Sequence, residues 1–361
     1  MSSASQTSVP DPGSIPRIDL HVHMVGNGKA GTGCWLRTPW WRRPVHKLLV
    51  RSMGLDTSAL DDDLEALYTR RLRRLVRESS LDAVVLLAQE EVYEPDGRRR
   101  PNVGTFHVPN QLVLDLAARH PEFLPGVSIH PARKDAFEAL DYCVQQGAVL
   151  MKYLPNCQNI DCSDKRYTRF WERMAGAGLP LLAHTGGEYT LQVVNPAYSD
   201  PKRLELPLQC GVKVIAAHCA TRSGLTDPQY FHDFVRMLDR YPNLWGDNSA
   251  FLVYNDRSRG CVMPSCLREP IVSRILHGSD FPVPVSGLWA WTRGFLKRED
   301  FNRWRKHPNV IERDYQWKRL IGFPEATFTR ASSVLRIPPT WTKPRKSEGE
   351  ADPNRLEALP E

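Results

Sequence analysis

Short apolar runs recur along the chain, and several stop at a single polar residue. Eight of them, at 18–23, 82–88, 123–130, 148–154, 180–185, 212–218, 244–249 and 275–280, have the length and composition of strands. Segments of helical period separate most of them. Between Asp61 and Ser79, Leu64, Leu67, Leu72, Leu75 and Val76 fall on one side, with acidic residues in the first turn. Ala136, Leu140, Cys143 and Val144 repeat the pattern after the third run, and Phe231, Phe234, Val235 and Leu238 after the sixth. The fifth and seventh connections, interrupted by Pro196, Pro201 and Pro207 and by Pro264 and Pro270, predict less helix. Strand and helix in alternation predict an α/β chain folded as a distorted (β/α)8 TIM barrel with a long loop after strand 1. The barrel domain is expected over 17–338, with flexible tails at 1–16 and 339–361 where Ser, Pro, Gly or charge predominate.

The polar residues that end these runs carry the candidate chemistry. In order they are His21 and His23, then Lys152, His184, His218 and Asp280. A barrel gathers the C-terminal ends of its strands on one face, so residues far apart in sequence can share a pocket. Strict alternation along the first run would put Asp19, His21 and His23 on one side and Ile18, Leu20 and Val22 on the other. Two imidazoles aimed together suit a divalent ion. Lys152 is the single charge in Ala148-Val-Leu-Met-Lys152, and an isolated buried lysine is costly unless paired or modified. One histidine alone is as readily a hydrogen-bonded core residue; the ordered set points to a metal site.

Composition bounds the rest. Of 361 residues, 41% are hydrophobic and 25% charged, an ordinary globular balance. The opening residues lack a signal-peptide pattern, no run reaches membrane-spanning length, and eight irregularly spaced cysteines form no CxxC pair. A reduced, cytoplasmic enzyme with no membrane partner is expected, and a homo-oligomer is admitted. The net charge of +7, with Arg70, Arg71, Arg73, Arg74, Arg77 and Arg98 to Arg100, raises a basic nucleic-acid-binding module as a distant alternative. Interspersed acidic residues and the lack of a recognition motif argue against nucleic acid.

Asp19-Leu-His-Val-His23 and His277-Gly-Ser-Asp-Phe-Pro282, with the lysine and two histidines between them, resemble the amidohydrolase superfamily, in particular the branch that also contains nonoxidative decarboxylases. The resemblance runs from about Arg17 to Pro338. It implies a metal-dependent hydrolase with two divalent ions, Zn or else Mn or Fe. His21, His23 and Asp280 would hold the first ion, and His184 and His218 the second. Lys152, carbamylated by carbon dioxide, would bridge them. A metal-activated hydroxide would attack an ester, lactone, amide or phosphoester of a small molecule, with Asp280 taking the proton. The alternative is a one-metal decarboxylase of a small carboxylic acid, in which His218 is left for acid–base work; those relatives usually lack the lysine.

Substrate contacts are less legible. Glu90, His130, Tyr153, Asn156, Glu188, Arg222, Asp247 and Asn248 lie near strand ends, and Arg222 is the candidate for an anionic group. The long first connection, Met24 to Leu60, with its glycines and with Trp35, Trp40 and Trp41, is expected to shape the pocket.

Overall fold

The eight apolar runs pair into one parallel sheet in chain order. The computed structural model describes residues 15–37, 43–224, 227–253 and 262–344; Trp40, Trp41, the first fourteen residues and the end of the C-terminal tail lie outside them. The strands are β1 (Ile18–His23), β2 (Ala83–Leu87), β3 (Phe123–Val127) and β4 (Leu150–Tyr153). They continue as β5 (Leu181–Ala183), β6 (Val214–Ala216), β7 (Leu244–Asp247) and β8 (Ile275–Leu276). The sheet closes because Leu20 N donates to His277 O (3.1 Å), Asp280 N to His21 O (2.9 Å) and His23 N to Phe281 O (2.8 Å). The fold is a (β/α)8 barrel.

Helices form where the apolar period predicts them. The long first connection holds α1 (Arg43–Ser52), and α2 (Leu64–Arg77) follows, its start fixed by Asp63, whose side chain accepts from Ala66 N at 3.0 Å. Helix α2 therefore begins later than Asp61, which ends a separate 3-10 turn. Along α2, Leu64, Tyr68, Leu72, Leu75 and Val76 are buried, and Arg74 and Arg77 sit favourably at its C-terminal end. Helices α3 (Ala136–Gln145) and α4 (Phe231–Arg240) bury Ala136, Leu140 and Cys143, and Phe231, Phe234 and Met237. Between β5 and β6 the prolines leave only 3-10 turns and the short helix Glu205–Gln209. The last long helix, α5 (Val310–Ile321), packs on α2. Ala331, Val334 and Leu335 then plug the barrel where its strands begin. No described helix is long and apolar enough to cross a membrane.

The apolar residues divide into an inner and an outer core, and the division corrects the simple alternation along β1. Ile18 and Leu20 share the inner cluster with Val85, Leu150, Leu182, Ile215 and Leu276, whereas Val22 and Met24 join the outer cluster that packs strands on helices. Asp19 is not with the histidines. It lies on the helix side of the sheet, within electrostatic reach of Lys318 and Tyr68. The cause is a break in register: Asp19 pairs with Val84 but Val22 with Leu86, so β1 carries one extra residue between them. Such a bulge reverses the parity and re-aims the side chains that follow it, turning His21 and His23 inward above Leu20.

Candidate metal centre

His21 is the centre of a buried polar layer above that inner core. Its Nδ1 lies 2.9 Å from Asp247 Oδ2 and its Nε2 2.8 Å from Lys152 Nζ, with all three side chains 1% exposed or less. A carboxylate beside Nδ1 fixes the proton there and leaves the Nε2 lone pair directed into the site. Asp280 Oδ1 is 3.3 Å from both His21 Nε2 and His23 Nε2. One donor atom from each of His21, His23 and Asp280 lies within 4.8 Å of the others, and imidazole nitrogen with carboxylate oxygen is a donor set suited to a divalent ion. His23 Nδ1 is buried without a hydrogen-bond partner among the described residues.

The other two candidate histidines lie beside this group and are not part of the close donor cluster of His21, His23 and Asp280. The His184 and His218 ring centroids are 5.2 Å apart, and His218 is 5.4 Å from His21. His218 Nε2 is 4.0 Å from Asp280 Oδ2, while its Nδ1 lies 2.8 Å from Ser249 Oγ. His184 Nε2 lies 3.2 Å from Gly187 O and 3.8 Å from Glu188 Oε2.

Alternation alone would turn His218 outward, since Ile215 and Ala217 already point in. His218, Cys219 and Ala220 adopt φ of 58°, 52° and 55°, and this left-handed turn swings the imidazole back over the mouth. Asp280 has φ 64°. Left-handed non-glycine residues cost about 1–3 kcal/mol each and gather where function holds them. Space is managed as closely at Gly278, where an added Cβ would lie 2.8 Å from His21 Cβ and 3.2 Å from Ser249 Cβ. Gly278→Ala is expected to displace His21, destabilise the fold by about 1–3 kcal/mol and weaken metal binding. Thermal melting with a metal titration checks this; unchanged values for both would refute it.

Electrostatics favour ionised carboxylates here. Burial raises the Asp280 carboxyl, but His21, then His23 and Lys152, outweigh it and hold it well below the usual range. Asp247 is held low in the same sense by His21, His218 and Ser249. The Lys152 amine is pulled down to about 8 by burial, against opposing pulls from Asp280, Asp247 and Glu188.

Every sequence-level metal candidate thus converges on one mouth. Lys152 pairs with neither Asp19 nor Asp280 at ion-pair distance; its contact is the His21 ring. Arg222 is not among the residues lining the cleft above the site; its backbone N–H donates to Gln229, and its Nε has no partner among the described residues. Asp247 is the residue sequence reasoning undervalued. Its signal was the one its neighbours gave, a lone carboxylate ending an apolar run.

A family model described as Amidohydrolase matches residues 18–321. The chain belongs to the amidohydrolase family. No curated protein matches it by sequence. Among solved structures, an uncharacterised TIM-barrel protein of Bordetella bronchiseptica is similar at 18% identity with TM-score 0.54, over 84% of this chain and 99% of that one. A probable 2-pyrone-4,6-dicarboxylic acid hydrolase of Acinetobacter baumannii (13%, TM-score 0.50, 85% and 100%) and 5-carboxyvanillate decarboxylase of Sphingomonas paucimobilis (11%, TM-score 0.51, 90% and 100%) follow. At these identities the likeness shows a shared fold, one found in both that probable hydrolase and that decarboxylase.

Proposed function

We propose that the chain is a metal-dependent hydrolase of small molecules with a carbonyl or phosphoryl centre. The observation that carries this is Lys152: wholly buried, 2.8 Å from His21 Nε2, with no carboxylate at ion-pair distance among the described residues. A permanent ammonium there would have carboxylates nearby but none in direct contact, whereas a neutral amine can react with carbon dioxide to give a carbamate. His21, His23 and Asp280 would hold one divalent ion, and His184 and His218, with that carbamate, a second. When bound, such ions lower the pKa of water and polarise the oxygen under attack.

The chain's own residues do the rest. Asp247 keeps the His21 lone pair directed into the site. Asp280, ionised and open to the cleft, accepts a proton during attack and returns it to the leaving group. His23 and His184 line the floor where the reacting centre would sit.

A second reading, a one-metal decarboxylase, draws on the compactness of the His21, His23 and Asp280 group and on His218 being engaged with Ser249 instead. Both readings require metal. Protein purified without chelator is expected to carry about one or two zinc, manganese or similar ions per chain by elemental analysis. A folded, metal-free protein that retards nucleic acid with steep salt dependence would sink both.

A further inference from the structure

The cleft above the histidines has a chemistry of its own. Its walls include Leu36, Leu49, Met53 and Leu60 of the first connection, Phe106, and Leu191 after β5. The space within it open to water-sized groups is about 130 Å³, and it opens to solvent at its mouth. The polar side chains on the wall are mostly spent on the protein itself. Thr105 Oγ accepts from Gln192 N at 2.8 Å, and Glu188 Oε1 accepts from Thr190 N at 2.6 Å and Leu191 N at 3.0 Å. His46 is buried and partnered.

Among the described lining residues no lysine or arginine occurs, and the carboxylates are Glu188 and Asp280. Two arginines of neighbouring loops are engaged away from the cleft: Arg133 with Glu90 and Asp135, Arg99 with Glu91. An anionic group on the part of a substrate far from the histidines would therefore lose its water and meet apolar walls. A hydrocarbon there would gain by burial.

Building on the hydrolase reading of this site, we propose that the substrate is an uncharged carboxylic ester, lactone or amide with a bulky hydrocarbon group. That group fills the cleft and the reacting carbonyl lies at His23, His184 and Asp280. The basic overall charge therefore does not translate into an anionic substrate.

Two isosteric pairs test this on the metal-loaded full chain. In the first, 1-naphthyl butyrate and 1-naphthyl hemisuccinate differ by a terminal methyl against a carboxylate; the butyrate is expected to have at least about 30-fold higher kcat/KM. Lengthening the acyl chain from propionate is expected to add about fourfold per methylene until the cleft is full. The second pair, 1-naphthyl propyl ketone and 4-(1-naphthyl)-4-oxobutanoic acid, cannot be hydrolysed and reads binding alone. The ketone should bind at least about 30-fold more tightly, and Leu36→Arg, or Leu191→Lys if that variant does not fold, should narrow or reverse the gap. A keto acid bound as tightly as the ketone by the unaltered protein, or a gap unmoved by the added cation, overturns the proposal. A preserved ketone preference without turnover of any ester would strike the hydrolase reading and leave the assignment of the cleft standing.

Discussion

His218→Ala lowers bound metal from about two ions per chain toward one and removes most turnover, if His218 is a ligand of a second ion. The expectation follows from position. The ring lies 5.2 Å from His184 and 5.4 Å from His21, with Nε2 turned toward Asp280 and Nδ1 held at Ser249. Its left-handed backbone is strain kept for that placement. Deleting the ring leaves a buried ion one donor short, with few groups able to replace it. The decarboxylase reading gives the same residue a different task. There His218 supplies a proton and holds nothing, so the variant keeps its single ion and loses roughly 10²–10⁴ in the rate of carbon dioxide release. Metal per chain, measured for the parent and the variant before any substrate is known, separates the two. A single ion unchanged by the substitution would end the hydrolase assignment.

Lys152 gives the second large effect, in opposite directions for activity and stability. Lys152→Ala is expected to lose at least about 10²-fold in metal affinity and most activity, with acetate or propionate partly restoring both by occupying the bridging position. Lys152→Met keeps the bulk and cannot be carbamylated. Because the amine is wholly buried with its ionisation pulled down to about 8, metal-stripped Lys152→Met in buffer free of carbon dioxide should be more stable than the parent by about 1–3 kcal/mol near neutral pH. The sign with pH is fixed by proton counting. Between about 8 in the folded chain and the ordinary lysine value near 10.4, the unfolded parent binds more protons than the folded one, so its stability rises with pH. The gap between parent and variant should therefore close across that window in denaturant titrations. A gap that widens there, or an alanine variant with full metal content, would remove the carbamate and leave Lys152 as an ammonium.

The sequence by itself determined a great deal, because local rules govern much of this fold. Apolar runs of strand length separated by helical periods are set by burial on two layers, and β1 to β8 and helices α2, α3 and α4 follow them. The six candidate donors were legible for a related reason: one such residue ending an apolar strand can be a satisfied core residue, but an ordered set of them is too costly to be incidental. Other features were decided only in three dimensions. The bulge in β1, which puts Ile18 and Leu20 inside and Asp19 outside, depends on the register against β2 and on Leu20, His21 and His23 bonding to the segment around Asp280. Alternation along one strand cannot report an extra residue in a pairing. The left-handed turn at His218 and the partnership of His21 with Asp247 and Lys152 arise from contacts between residues far apart in the chain. The apolar cleft is likewise invisible in composition. A net charge of +7 is summed over the whole surface, whereas what a ligand meets is the few side chains that the first connection, Phe106 and Leu191 bring over the mouth.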